Sequence, residues 1–382
     1  MNPLDWIADG LSALDAQGLR RRVRPRATAA GRSADGLVNL SSNDYLDLAS
    51  DPRLAIAAAE ASRDWGAGSG GSRLVTGSTR LHSELEHEIA AWKGTEDAVL
   101  FSSGYLANLG TIQALVGRGD AVFSDALNHA SIIDGCRLSR ADVHIYAHAD
   151  ADALDAALTD ARGTRGTRGR ALVITDGVFS MDGDAARLRE LCEVAEAHHA
   201  MVMVDDAHGC GVIGPDGRGT AAAQGVEARV QVQLGTLSKA FGAAGGYVAG
   251  SAELCEWLRN RARTFVFDTA PSPAVVGAAL AGIRVARAEP QRRERATALA
   301  QRLAGALRLP SPAAAVVPLQ FGAPDAALAA QAALEAAGLL VTAIRPPTVP
   351  EGTSRLRFAL TAAHDDRDVD RAVDALRTLL PA

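Results

Sequence analysis

Seven short apolar runs recur between residues 98 and 249: Ala98–Phe101, Ala121–Ser124, Val143–Tyr146, Ala171–Asp176, Ala200–Asp205, Val230–Leu234 and Gly246–Ala249. Most are nearly continuous in Val, Leu, Ile, Met and Ala. Such runs mark strands buried on both faces, whereas half-exposed strands alternate. Helical patterns separate the first five runs: one beginning at Ser102–Tyr105, then Asn128–Arg137, Asp150–Thr159 and Ala185–His198. Strand and helix in alternation predict an α/β fold, a mostly parallel seven-stranded sheet with helices on both faces. Ligands of such sheets bind beyond the carboxyl ends of the strands.

The flanks read differently. A short helix over Leu4–Leu14 runs into the arginine cluster Arg20–Arg26 and then the polar turn Ser41-Ser-Asn-Asp-Tyr-Leu46. Asp51-Pro52 has the form of an N-cap with proline in the first turn, opening a helix that ends near Trp65. Gly66-Ala-Gly-Ser-Gly-Gly-Ser-Arg73 follows, and an amphipathic helix starts near Thr79 with His82, Leu85 and Ile89 in step. A glycine loop between two elements of one domain lets backbone approach a ligand. Arg162–Arg170 is a tandem Gly-Thr-Arg repeat, expected as an exposed loop without chemistry. One helical stretch is expected from Ala274 to Leu307. Strand Ala315–Leu319, helix Asp325–Ala337, strands Leu339–Ile344 and Arg355–Leu360 and helix Asp368–Leu380 then make a small α+β domain. The expected organisation is an N-terminal arm (1–45), a large domain (46–285) and a small C-terminal domain (286–382).

At 382 residues the chain has room for two or three domains. Aromatic residues are 4% against 48% hydrophobic, so the core must be built from Ala, Val and Leu. A net charge of -6 argues against nucleic acid as a partner. No leader pattern and no long apolar run is visible, so neither export nor membrane insertion is expected. Cys136, Cys192, Cys210 and Cys255 are too scattered for a metal site and read as free thiols of a cytoplasmic protein.

The basic residues change the picture most. Of 39, 37 are arginines; the two lysines are Lys93 and Lys239. Lys93 ends an amphipathic helix before Gly94 and is expected as a helix C-terminal charge. Lys239 sits in Leu234-Gly-Thr-Leu-Ser-Lys-Ala-Phe-Gly-Ala-Ala-Gly-Gly246, an apolar loop at a strand end. A strand-end lysine can snorkel to water. In a chain that uses arginine for charge, a lysine in such a loop points instead to a nucleophilic amine able to form a Schiff base with an aldehyde. Asp205 ends the most apolar strand, where a carboxylate needs a cationic partner, such as a protonated pyridine nitrogen. His208 is three residues on. Ser102–Tyr105 offers backbone N–H groups to a phosphate, Thr236 adds a hydroxyl, and His129 opens a helix from which it can stack on a flat ring.

Asp205-x-x-His208 and Thr236-x-Ser-Lys239, with Gly104-Tyr105, Asn128-His-Ala-Ser131 and Val178-Phe-Ser-Met-Asp-Gly-Asp184, resemble the α-oxoamine synthases. These are pyridoxal 5'-phosphate (PLP) enzymes of the aspartate-aminotransferase fold, fold type I, and the likeness runs from Ser41 to the end. It implies that Lys239 carries PLP and later moves a proton, that Asp205 pairs with the pyridine nitrogen, that His129 stacks on the ring and that His208 and Ser180 contact the ring oxygen. Gly104, Tyr105 and Thr236 would hold the phosphate, with Thr269 reaching it from the neighbouring subunit of a homodimer. Arg357 would bind the amino-acid carboxylate, with Asn43 near the reacting centre. Arg345 and Arg20, the favoured member of Arg20–Arg22, are candidates for the acyl substrate.

Thr342-Ala-Ile-Arg-Pro-Pro-Thr-Val-Pro350, Gly352-Thr-Ser-Arg-Leu-Arg357 and Leu360-Thr-Ala-Ala-His364 resemble the members that condense L-alanine with pimeloyl-CoA or a pimeloyl-carrier protein. Open alternatives are family members using glycine and acetyl-CoA, a PLP lyase or aminotransferase, and a colourless α/β binding protein. Two positions depart from the family. Asp176 replaces a usual glutamate, and its shorter side chain is expected to reach a partner through water. Asp268 replaces a usual Ser or Thr and, as an anion, is expected to point away from a phosphate.

Overall fold

The computed structural model describes residues 2–163 and 169–379. The Gly-Thr-Arg loop falls largely on residues 164–168, outside the described residues. The chain divides into two compact units: Asp44–Ser180 with Asp184–Glu294, and Met1–Asn43 with Met181–Gly183 and Arg295–Ala382.

The first unit is built on seven strands: β1 (Asp97–Phe101), β2 (Ala121–Asp125), β3 (Asp142–Tyr146), β4 (Ala171–Asp176), β5 (Met201–Asp205), β6 (Val232–Thr236) and β7 (Gly246–Gly250). They lie in the order β1-β7-β6-β5-β4-β2-β3. β2 pairs in parallel with β3 and β4, β4 with β5, and β5 with β6. β7 alone runs antiparallel to its neighbours β1 and β6. The strand period sorts side chains between two cores. Val122, Leu172, Ile174 and Met203 pack with Ile112, Ile132 and Leu258 on one face. Phe123, Val173, Val202 and Val204 pack with Leu154, Leu158 and Leu191 on the other.

One helical expectation needs correction. The stretch Ala274–Leu307 breaks at Glu289–Pro290 into the helices Pro273–Ala288 and Gln291–Ala306, because proline cannot donate within a helix. The helix Ala252–Arg261 has no counterpart in the sequence reading. It buries only Cys255 and Leu258, too weak an apolar stripe to stand out.

In the second unit, β8 (Val316–Gly322) and β9 (Thr342–Ile344) flank β10 (Ser354–Ala359), both antiparallel to it. Leu299, Leu303, Leu334, Leu356, Phe358 and Leu376 are among its buried core residues. The single strand expected over Leu339–Ile344 is two: Leu339–Leu340 joins Leu37–Asn39 in another sheet, and β9 joins β10. Among the described residues, no helix is long and apolar enough to cross a membrane, and no group of three or more metal-ligating side chains occurs.

Candidate active site

Beyond the carboxyl ends of β4, β5 and β6, the first unit forms a cavity of about 230 Å³. Lys239, His129, Asp205, His208, Gly104, Tyr105, Ser180 and Thr236 all line it. The loop carrying Lys239 closes on itself: Leu237 N donates to the Gly245 carbonyl at 2.9 Å and Gly242 N to the Lys239 carbonyl at 3.0 Å. Gly242 has φ +64°, and a Cβ there would lie 2.4 Å from the Leu48 carbonyl carbon. Only glycine fits that turn, which accounts for the small residues around the lysine.

Lys239 Nζ lies 3.0 Å from His208 Nε2, and His208 Nδ1 lies 2.7 Å from the Tyr45 hydroxyl. A neutral imidazole accepts at one nitrogen and donates at the other, so the three groups form a relay. Asp205, 4% exposed, accepts from Asn108 Nδ2 at 2.6 Å and from Ala207 N at 3.0 Å. Asn108 Nδ2 also donates to Ser131 Oγ at 2.9 Å, and Ser131 Oγ lies 2.7 Å from His129 Nδ1. One chain of hydrogen bonds thus joins the carboxylate to the imidazole that forms another wall of the cavity. Burial holds His129 below the usual histidine range, so its ring is neutral.

Asp176 is the register partner of Asp205 on the neighbouring strand. It accepts directly from His129 N at 3.0 Å, so the shorter side chain needs no water for this contact, contrary to expectation. Burial first, and the Asp205 charge second, push its pKa well above the usual carboxylate range. Two neighbouring buried carboxyls resist ionising together, which is the second cause of the rise at Asp176.

The helix Gly104–Leu115 begins against the cavity, with Ser103 Oγ accepting from Leu106 N at 3.1 Å. Thr236 Oγ and Ser238 Oγ, 2.7 Å apart, lie opposite. A Cβ on Gly246 would stand 2.5 Å from Gly104 N, so glycine there lets this turn approach β7. Thr269 is exposed and does not line the cavity; its backbone bridges to Ser72. Asp268 accepts from Ser102 Oγ and likewise does not line the cavity.

Asn43, Arg357, Arg20 and Arg345 belong to the second unit. There the buried Arg357 donates to Asn43 Oδ1 at 3.0 Å. Arg20 and Arg345 line a cavity of about 650 Å³ with Arg21, Arg22 and Arg24. Arg20 is paired with Asp15 and Arg345 donates to the Gly18 carbonyl. Arg21 instead donates to Pro346 O at 3.2 Å and Thr348 Oγ1 at 3.3 Å, both neutral.

Sequence reasoning missed Asn108, Ser131 and Tyr45 as parts of this arrangement and noted Asp176 only as a departure from the family. Asp176 had the same signal as Asp205, a carboxylate ending an apolar strand. Asn108 interrupts the apolar pattern four residues after Gly104, a signal too common to select it. Lys93 does end the helix Arg80–Lys93, but it is no exposed end charge. At 2% exposure it donates to the Arg218 carbonyl, and its Nζ lies 5.5 Å from the centre of the Trp92 ring.

An amine, a buried carboxylate, a neutral flat ring and a helix start with two hydroxyls therefore surround one small cavity. This donor set fits a phosphorylated pyridine aldehyde. Residues 35–376 match the model of the family described as aminotransferase class I and II. The chain is 54% identical to a protein of Anaeromyxobacter dehalogenans named 8-amino-7-oxononanoate synthase, over 99% of this chain and 96% of that one. Among solved structures it resembles a serine palmitoyltransferase from S. paucimobilis with bound PLP–myriocin aldimine, at 32% identity and TM-score 0.91, covering 98% of this chain and 97% of that one. It also resembles an 8-amino-7-oxononanoate synthase from Francisella tularensis, at 27% identity and TM-score 0.75, covering 90% and 97%.

Proposed function

The chain belongs to the aminotransferase class I and II family, among relatives named 8-amino-7-oxononanoate synthase, and we propose that it condenses L-alanine with a pimeloyl thioester. The products are 8-amino-7-oxononanoate, CO2 and the free thiol, a step of biotin biosynthesis. The observation that carries the reading is the cavity in which Lys239, His208, Asp205 and His129 meet at successive strand ends. PLP, the cofactor, supplies an aldehyde for an amine and a protonated ring that accepts the electrons of a broken Cα bond.

Each side chain has a task that its surroundings suit. Asn108 and Ala207 N aim their hydrogens at Asp205, which would pair with the ring nitrogen of the bound cofactor and favour its protonated form. His129, which lines the cavity, would stack on the ring. The first N–H groups of the helix Gly104–Leu115, with Thr236, receive the phosphate. Lys239 Nζ takes the α-proton of the amino acid and returns one after decarboxylation, and the bond to His208 gives that proton a path to Tyr45. Arg357, with Asn43 beside it, binds the amino-acid carboxylate as a two-pronged donor and so fixes which Cα bond is aligned to break. The arginine cavity of the second unit supports recognition of an anionic acyl chain or its carrier. There Arg21 joins Arg20 and Arg345 as a candidate, because Pro346 O and Thr348 Oγ1, to which it donates, are neutral and leave its charge uncompensated by them.

The reading includes a cytoplasmic homodimer in which Thr269 serves the partner's phosphate site. The exposed Phe267 (71%), Val75 (78%) and Leu74 (55%) beside the Ser72–Thr269 bridge support this.

Purified holoenzyme should turn over L-alanine with pimeloyl-CoA in preference to glycine or L-serine with either pimeloyl-CoA or acetyl-CoA. A preference for glycine with acetyl-CoA overturns the assignment. Lys239→Ala should lower the rate on the order of 10⁴-fold or more and abolish borohydride-dependent attachment of the cofactor.

A further inference from the structure

His148 lies outside every motif considered so far, yet it is tied to two of the loops that shape the cavity. Its Nδ1 lies 3.0 Å from Asp125 Oδ1 and its Nε2 2.9 Å from Asp184 Oδ2. Asp125 ends β2 and is fully buried as a side chain, while Asp184 is half-exposed. Ionised carboxylates only accept hydrogen bonds, so an imidazole that bonds both through its two nitrogens must carry two protons. The geometry therefore defines a cation between two anions. The same two carboxylates hold the histidine's pKa up at about 10.

Each anchor leads to a different wall of the cavity. Asp125 also accepts from Leu127 N and Ala149 N, both at 2.8 Å, and so shapes the loop that runs on to His129. Asp184 closes the turn that carries Ser180: Phe179 N donates to its carbonyl at 2.9 Å, and Val178 bridges to Ala185. The His148 ring stands edge-on to Phe179, with centroids 4.3 Å apart. Among the described residues, Asp125 from β2 and Asp184 from the turn are the charged groups that face the ring.

We propose that His148 is a positioning residue whose imidazolium straps the Ser180 turn to the Asp125–His129 loop and so fixes the spacing of two cavity walls. This rests on the reading of the cavity as the cofactor site. Neither Asp125 nor Asp184 touches the reaction; their pairing with His148 sets where Ser180 and His129 stand.

The strap has a pH signature. An ordinary histidine titrates near 6.5, and this one near 10. A raised folded-state pKa gives stability that is complete below about pH 6.5 and lost as pH rises through about 10.

Nitrogen-15 NMR of the holoenzyme should show the imidazolium form of His148 at pH 8.5, where a free histidine is neutral. His148→Gln can reach one carboxylate but carries no charge. It should weaken PLP binding by about tenfold or more and flatten the fall of Tm between pH 7 and pH 10. His148→Arg, which keeps the charge and the two-sided donation, should recover PLP affinity and remove the pH dependence. A neutral His148 at pH 8.5, or a His148→Gln variant with wild-type affinity and wild-type slope of Tm against pH, overturns the strap. The NMR and Tm readouts do not depend on the reaction. A chain that binds no PLP in any form would therefore sink the functional reading alone, and those two readouts would still decide on the strap.

Discussion

The residue that most depends on its neighbours is Asn108. Its amide nitrogen serves Ser131 and Asp205 together, while its buried Oδ1 has no partner among the described residues. Turning the amide over would set an oxygen against the Asp205 carboxylate, so the orientation is fixed although one acceptor goes unsatisfied. An unpaired buried acceptor costs about 1–3 kcal/mol. That this is tolerated at 1% exposure points to a strong demand for a donor at Asp205. Asn108→Ala should therefore weaken PLP binding by about 1.5–3 kcal/mol, measured by absorbance titration, with little change in far-ultraviolet circular dichroism. Unchanged affinity would show that Ala207 N alone suffices to hold Asp205. Asp176 makes the complementary case. It sits beside a carboxylate on the next strand, and burial, with the Asp205 charge second, raises its pKa well above the usual carboxylate range.

Among the elements, the turn from β1 into the helix Gly104–Leu115 depends on a glycine it does not contain. Gly246 on β7 leaves 2.5 Å between a notional Cβ and Gly104 N, far inside normal contact. Gly246→Ala should push the helix start away from Thr236, costing about 1–3 kcal/mol of stability and weakening phosphate binding more than ring binding. Comparing the affinities of PLP and dephosphorylated pyridoxal tests this; an equal loss for both would sink it. The strands themselves were legible because fully buried strands are written as apolar runs, and all seven end within two residues of the reading. The pairing direction of β7 was not legible, since hydrophobicity records burial and not the neighbour. The division of Leu339–Ile344 between two sheets was hidden for the same reason. At the site, Lys239, Asp205 and His129 stood out as polar residues at the ends of apolar runs. Tyr45 and His148 did not, because their roles lie in partners that are 163 residues away for Tyr45 and 23 and 36 for His148.

For the whole molecule, the proposed dimer makes a prediction that a single chain cannot satisfy. Lys239→Ala chains keep Thr269, and Thr269→Val chains keep Lys239. Co-expressed and co-purified, the two should regain activity above that of either alone, because one site of each mixed dimer combines the intact groups. Activity no higher than that of the Thr269→Val protein alone would place Thr269 outside the partner's site. The treatment of lysine also acts at this scale. Lys93 is folded under the Trp92 ring and bonded to a backbone carbonyl, and Lys239 faces the cavity. The remaining basic side chains are guanidinium groups, which do not condense with aldehydes at neutral pH. For a reagent that reacts with almost any free amine, such a protein is nearly a single-target molecule. Excess cofactor should then load close to one equivalent per chain with little stray colour, and the fold achieves this selectivity by withholding competitors as well as by attracting the ligand.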